Sequence, residues 1–283
     1  MANDVFVCGL ESEEQEMITG IDISHWDGAI DWAKVKPQVG FAILKASEGT
    51  NWTDDTYAYN KAGCEINGIP HGVYHFFRSN QDPAAQAAHF VATVNDANTK
   101  FYAVDVETND GGEIRTNLKV MLQEVERLTG KIPRIYTAYY FWNDNIGPQD
   151  WASRCPLWVA NYVEFNPLIP NGWSKYEIWQ YASNGNIQGI NARVDMNSTD
   201  GNLADIFGNG ELIPPSPAPM WVRVNVGALT IRSAPVVTTD TVLGYTTFGK
   251  IWTVEDKVPD DQGRDWLKVG ASAYIAGWLC EAV

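Results

Sequence analysis

The stretch FYAVDVE, residues 101–107, decides how the chain is read. It is rich in β-branched and aromatic residues, and it carries two acids two positions apart, Asp105 and Glu107. In a strand, residues i and i+2 point to the same side, with Cα atoms ~6.5–7 Å apart. Asp105 and Glu107 therefore share one face, and Val104 and Val106 turn to the other. Branched aliphatics on one side suit a strand packed beneath helices. Acids on the other side suit a strand whose end opens into a polar site.

Working outward, comparable runs recur on both sides. GIDISHW (20–26), FAILKAS (41–47) and HGVYHFF (71–77) precede it; RIYTAYY (134–140), LWVANY (157–162), EIWQYA (177–182) and ARVDMN (192–197) follow. Each reads as a strand. The first five are joined mainly through helices. Over 113–129, Ile114, Leu118, Met121, Leu122, Val125 and Leu128 fall on one helical face, and Gly130 with Pro133 beyond it ends the run. Asp82 can cap another helix, with Pro83 at its first position and an alanine-rich run behind. After residue 150 no convincing helix separates the strands. Alternating β and α implies a parallel sheet with right-handed crossovers. Eight such strands close as an irregular, TIM-like α/β barrel that lacks its last helices.

Such barrels place chemistry at the C-terminal ends of their strands. Asp22 falls on the first strand, Asp105 and Glu107 on the fourth and Asp195 on the eighth. Two inward carboxylates that close repel, and one is pushed to a higher pKa. One acid then stays protonated near neutral pH while its neighbour stays charged. Glycoside hydrolysis needs such a pair, a proton for the leaving oxygen and a negative charge facing the oxocarbenium-like centre.

Composition agrees. The chain has 283 residues, 45% hydrophobic and 19% charged, which suits one large or two unequal globular domains. No apolar run approaches the ~18–20 residues of a membrane span. With 20 Lys+Arg against 35 Asp+Glu, the net charge of −15 argues against nucleic acid and anionic bilayers as partners. Twelve Trp, 12 Tyr and 10 Phe beside many acids suit neutral sugars, whose rings stack on aromatic faces. Core packing accounts for most of those Trp.

Cys8, Cys64, Cys155 and Cys280 are scattered and read as free thiols, with no zinc-ligand spacing among them. No cofactor or metal is expected. The apolar Val5-Phe6-Val7-Cys8 is too short for a secretory leader, so exit from the cell by another route, or a trimmed leader, is expected.

NGELIPPSPAPM, with prolines at 214, 215, 217 and 219, reads as a linker. It divides the chain into a tail (1–19), a catalytic barrel (20–208), the linker (209–220) and a small all-β domain (221–283) of about 60 residues. The strands of that last domain are ALTIRSAP (228–235), VLGYTTFGKIWTVED (242–256), DWLKVG (265–270) and AYIAGWL (273–279).

The motifs together resemble the glycoside hydrolase family 25 lysozymes, the Chalaropsis-type N-acetylmuramidases. GIDISHWDGAIDW (20–32), ILKASEGT (43–50), GVYHFF (72–77), the YAVDVE strand, IYTAYYFW (135–142), LWVANY, EIWQYA and VDMN (194–197) arrive in family order. The resemblance implies a barrel of five β/α units plus three strands. It also implies cleavage of the β-1,4 bond from N-acetylmuramic acid to N-acetylglucosamine in peptidoglycan. By that resemblance Glu107 is the general acid, Asp105 the second carboxylate, and Asp22 and Asp195 supporting acids. The substrate's own N-acetyl oxygen is one candidate nucleophile; a carboxylate or an activated water are others.

Tyr74, Tyr136, Trp158, Tyr162, Trp179 and Tyr181 are candidate groove aromatics, although strand alternation sends about half of such residues to the core. Lys45 and Glu48 read as a structural pair beneath the site, and His75 as a hydrogen-bonded wall residue. The last domain resembles the bacterial Src-homology-3-like cell-wall-binding module, on Ile231-Arg232-Ser233-Ala234-Pro235, Phe248-Gly249, Trp266-Leu267-Lys268-Val269 and Gly277-Trp278. Two of Trp252, Trp266 and Trp278 are expected in its core. The expectation is a monomeric, two-domain peptidoglycan hydrolase of the endolysin or autolysin kind. A chitinase-like glycosidase and an inactive wall-binding protein are the alternatives.

Overall fold

A computed structural model describes residues 17–208, 220–260, 262–270 and 272–282. The expected tail up to residue 16 and the linker at 209–219 lie outside the described residues. The first sheet contains β1 (Ile18–Ile23), β2 (Phe41–Glu48), β3 (Trp52–Thr53), β4 (His71–Phe76), β5 (Tyr102–Asp105), β6 (Arg134–Ala138), β7 (Leu157–Ala160), β8 (Ile178–Gly185) and β9 (Val194–Thr199). Its order is β1-β9-β8-β7-β6-β5-β4-β2-β3, and pairing of β1 with β2 closes it. β3 hangs from the end of β2 as a short hairpin, so eight strands form the wall.

All eight sequence-predicted strands are present. Seven run parallel, while β9 runs antiparallel to both of its neighbours. That reversal was not anticipated. Its cause is the short connection after β8: without a crossover helix the chain can only turn back along the strand it has just left.

Helices α1 (Trp32–Val35), α2 (Tyr57–Ile66), α3 (Pro83–Val94) and α4 (Ile114–Thr129) cover the outside of the first strands. α3 begins as its sequence requires, with the Asp82 side chain accepting from the Ala85 N–H. α4 buries Ile114, Leu118, Met121, Leu122 and Val125 and ends at Gly130 in the left-handed conformation. Leu128 is the exception on that face and is exposed. It lies in the helix's last turn, beyond the reach of the sheet. Val104 and Val106 are fully buried in the cluster beneath the helices.

The barrel interior is filled in tiers. At the bottom Phe101 and Phe41 stack on Phe207 at 4.9 and 5.1 Å, and Arg134 lies over Phe101 while pairing with Glu177 at 2.8 Å. Gly20 makes room here, since a Cβ would fall 2.4 Å from the Phe41 ring. Ile43, Tyr74, Ala103, Tyr136, Trp158 and Ile178 fill the middle. By strand alternation the next inward residues are Asp22, Lys45, Asp105 and Gln180, with Asp195 and Asn197 from β9. A polar tier thus caps an apolar plug at the C-terminal ends of the parallel strands.

The C-terminal residues form two small sheets. β10 (Met220–Val224), β13 (Ile251–Val254) and β17 (Cys280–Ala282) make one. β11 (Ala228–Arg232), β12 (Val242–Thr247), β14 (Asp256–Pro259), β15 (Asp265–Gly270) and β16 (Ala273–Ala276) make the other. The expected long strand at 242–256 is three, because the chain turns at Gly249 with φ 84° and breaks again before Asp256. Trp266 is buried in their shared core, Trp252 packs against it, and Trp278 is 40% exposed.

Candidate active site

The polar tier is built around Asp22. Its Oδ2 accepts from Gln180 Nε2 at 2.8 Å and from Asn197 Nδ2 at 2.7 Å. Both amides are locked from behind. Gln180 Oε1 accepts from the Tyr136 and Tyr162 hydroxyls at 3.0 and 2.8 Å, and Asn197 Oδ1 accepts from the Trp158 indole at 2.7 Å. Because each amide oxygen already faces O–H or N–H donors, each NH₂ must face Asp22. Burial raises the Asp22 carboxyl well above the ordinary range, with Asp195 adding to it and the two amides opposing.

Asp105 is the last residue of β5 and 5% exposed. Burial and the neighbouring Glu107 charge hold its pKa well up, while Lys45 pulls it down. Its Oδ1 is buried without a hydrogen-bond partner among the described residues. Glu107 lies two residues past the end of the strand rather than on it. Val106 still donates to the Tyr136 carbonyl at 3.0 Å, which carries the extended backbone far enough to keep the alternation. Burial and then Asp195 raise Glu107, against Lys45 and Arg78. Asp195 is pushed up to about 6 by burial. It is the second residue of its strand, and it reaches this end of the barrel because β9 is antiparallel.

Lys45 is buried and bonds Glu48 at 2.8 Å; Arg78 reaches Glu48 at 2.9 Å and Asp110 at 3.1 Å. These pairs buttress the acids from one side. His75 points away from the mouth, between Ser47 Oγ at 2.9 Å and Gln86 Oε1 at 3.3 Å. Burial lowers it to about 3, so it stays neutral and takes no part as a base. Among the described residues no three His, Cys, Asp or Glu side chains converge to hold a metal, and no helix is long and apolar enough to cross a membrane.

The candidate aromatics separate. Tyr162 stands at the mouth, 55% exposed. Tyr74 and Tyr136 form the floor beneath the acids, largely buried. Trp158 is a core residue, 1% exposed, so the expectation of a sugar contact there is corrected. Trp179 and Tyr181 are corrected too: Ile178 and Gln180 take the inward positions of β8, which turns their neighbours outward, and the Trp179 indole bonds the Asn161 carbonyl at 2.7 Å. Sequence reading missed Gln180 and Asn197 as site residues although both lie within the quoted runs EIWQYA and VDMN, because a neutral amide does not stand out as a reacting group. It also missed Asp27, whose carboxyl accepts from the Ser24 N–H at 2.8 Å and is raised to about 6 by burial. The short spacing from Asp22 was the available clue.

Residues 21–190 match the sequence profile of the glycosyl hydrolases family 25. The chain belongs to glycosyl hydrolase family 25. Its chemistry is therefore hydrolysis of a glycosidic bond. The family 25 barrel is 33% identical over 206 residues to Lysozyme M1 of Streptomyces globisporus, a match covering 67% of this chain and 70% of that protein. It is 29% identical to the N,O-diacetylmuramidase of Chalaropsis sp, over 63% of this chain and 96% of that one. The crystal structure of a bacterial lysozyme from Streptomyces coelicolor superposes with a TM-score of 0.62 at 32% identity, covering 68% of this chain and 98% of the other.

Proposed function

We propose that this family 25 barrel is a muramidase that cuts the β-1,4 bond between N-acetylmuramic acid and N-acetylglucosamine in peptidoglycan. One observation carries the assignment of roles: a buried carboxylate oxygen, Asp105 Oδ1, with no hydrogen-bond partner among the described residues, beside a second raised acid, Glu107. A buried acceptor left unmade is costly, so its partner is supplied by substrate. The acetamide N–H of the muramic acid ring is a donor of the right chemistry.

Glu107 donates its proton to the glycosidic oxygen as the C1–O bond breaks. The acetamide carbonyl oxygen of the same sugar forms the new bond to C1, and Asp105 steadies the amide N–H as positive charge develops. Water then adds at C1, its proton passes to Glu107, and the acetamide is restored. Glu107 ends protonated, as it began. Asp22 and Asp195 keep the mouth negative around the developing cation, and Tyr162 borders the same opening. The C-terminal sheets support binding to the wall rather than the chemistry. The shared chemistry of chitin leaves it as the competing substrate.

The deciding experiment digests purified peptidoglycan and identifies the new reducing end. N-acetylmuramic acid there supports the reading, and N-acetylglucosamine overturns it. Glu107→Gln should remove ~10²–10⁴-fold of the rate, the usual worth of a general acid.

A further inference from the structure

Trp26 is 81% exposed, on a turn that is firmly held. The turn follows the end of β1 at Ile23, and Trp26 stands four residues after Asp22. The Ser24 N–H donates to Asp27 Oδ2 at 2.8 Å, and the Trp26 N–H to Ser24 Oγ at 3.3 Å. His25 reaches Asp54 Oδ2 twice, through its backbone N–H at 3.0 Å and ring Nδ1 at 2.9 Å. Asp54 is 2% exposed, and its Oδ1 accepts from the Thr56 N–H and hydroxyl at 2.9 and 2.7 Å. Asn60 continues the chain, donating to Thr56 Oγ1 at 3.0 Å and accepting from the Trp32 indole at 3.3 Å.

The outcome is an indole fixed at its base and open to water. Its exposed face is therefore free to meet a ligand without any change in the fold. It is also not alone. His25 lies 4.4 Å from Trp26 and 5.0 Å from Trp52. Trp52 is 5.1 Å from the Lys45 ammonium, which is 4.8 Å from the Phe76 ring. Lys45 in turn acts on Asp105 and Glu107. A line of rings, Trp26, His25 and Trp52, therefore runs back to the buried Lys45 ammonium, with the Phe76 ring on its other side.

We propose that Trp26 is a sugar-stacking platform, the outer end of a saccharide track along Trp26, His25, Trp52 and Phe76. Its occupant is an N-acetylhexosamine ring of the strand being cut, beyond the scissile bond; the inference rests on the glycosidase reading above. The exposed indole face matches the C–H face of a pyranose, and the acidic surroundings favour a neutral, hydroxyl-bearing ligand over an anion.

The probe is a series of β-1,4-linked N-acetylglucosamine oligomers, titrated by tryptophan fluorescence into the Glu107→Gln protein. Adding Trp26→Ala should weaken the longer oligomers about three- to tenfold, with the penalty shrinking as the oligomer shortens. Trp26→Tyr should restore most of it. In the active protein the loss on long glycan strands should fall on KM rather than on kcat. Equal affinities with and without the indole overturn the proposal. So does a loss confined to kcat, which would put Trp26 at the reacting atoms. If the wild type cuts no peptidoglycan, the functional reading fails while the oligomer titration still decides the role of Trp26. An unchanged melting temperature separates either result from misfolding.

Discussion

Asp22 and Asp195 face each other in register across the antiparallel pair of β1 and β9. Directly opposed side chains in such a pair stand close together, and like charges there destabilise the sheet. Among the described residues only Asp22 is compensated, by the amides of Gln180 and Asn197.

Relieving the opposition should stabilise the barrel. Asp195→Asn is expected to gain ~0.5–1 kcal/mol above pH 7, the range of a cross-strand charge effect. That corresponds to a rise of roughly 1–4 °C in melting temperature. Asp195 is raised to about 6 in the folded protein. Such a group contributes stability below its unfolded value and loses that contribution as pH rises through about 6. The gain of the Asn variant should therefore appear above pH 6 and vanish near pH 4. Calorimetry at both pH values checks it; an equal gain at pH 4 would mean packing, not charge.

The same substitution should move the activity profile. After burial, the Asp195 charge is the main influence holding Glu107 up. Without it Glu107 loses its proton at lower pH, and the alkaline limb of kcat/KM shifts downward with it. A limb that stays put in Asp195→Asn would separate Asp195 from the acid.

His75 acts with the opposite sign. Its folded value lies at about 3, against an unfolded value near 6.5. The unfolded chain takes up a proton that the folded one refuses, so stability present above pH 6.5 is lost as pH falls toward 3. The full loss is of the order of a few kcal/mol. Urea unfolding of His75→Gln should show a shallower fall over that window than the wild type. Identical slopes would exonerate His75.

The sequence and the structure agree where local pattern determines position. The cap at Asp82 and the stop at Gly130 depend on near neighbours, and both are found as expected, whereas the strand carrying Asp105 stops two residues short of Glu107. Trp158 shows the limit. Alternation places it inside the barrel, but nothing in the strand says whether an inward residue meets the plug or the mouth. Asp195 reaches the mouth for a reason its strand could not reveal, since direction depends on the connection before it. Gln180 and Asn197 matter through partners 158 and 175 positions away, a relation that no local spacing encodes.

Trp158 should behave as a core residue. Trp158→Ala is expected to cost about 3–5 kcal/mol, as large-to-small core changes do. Trp158→Phe keeps most of the volume but frees Asn197 Oδ1, so the Asn197 amide can turn away from Asp22. Its melting temperature should fall while oligosaccharide affinity holds. Weakened sugar binding in a stable Trp158→Phe protein would restore the indole to the groove.

The final prediction concerns the C-terminal sheets. Residues 221–283 carry 6 basic and 7 acidic side chains, so nearly all of the net −15 belongs to the rest of the chain. A barrel of that charge is repelled by a wall rich in anionic polymers, and a near-neutral module can help only through short-range contacts. Ending the chain at Ile213 should leave soluble-fragment cleavage intact and slow lysis of whole walls, because the module no longer raises local concentration. Salt should distinguish the two terms. Repulsion acts over roughly 8–10 Å at 0.1–0.15 M salt and over about 30 Å at 0.01 M. Lysis by both proteins should therefore rise from low to moderate salt, whereas cleavage of small neutral fragments should stay level. A truncated protein that lyses walls as fast as the full chain would remove the targeting role. Lysis that falls steadily with salt would show attraction through a basic patch governing the encounter.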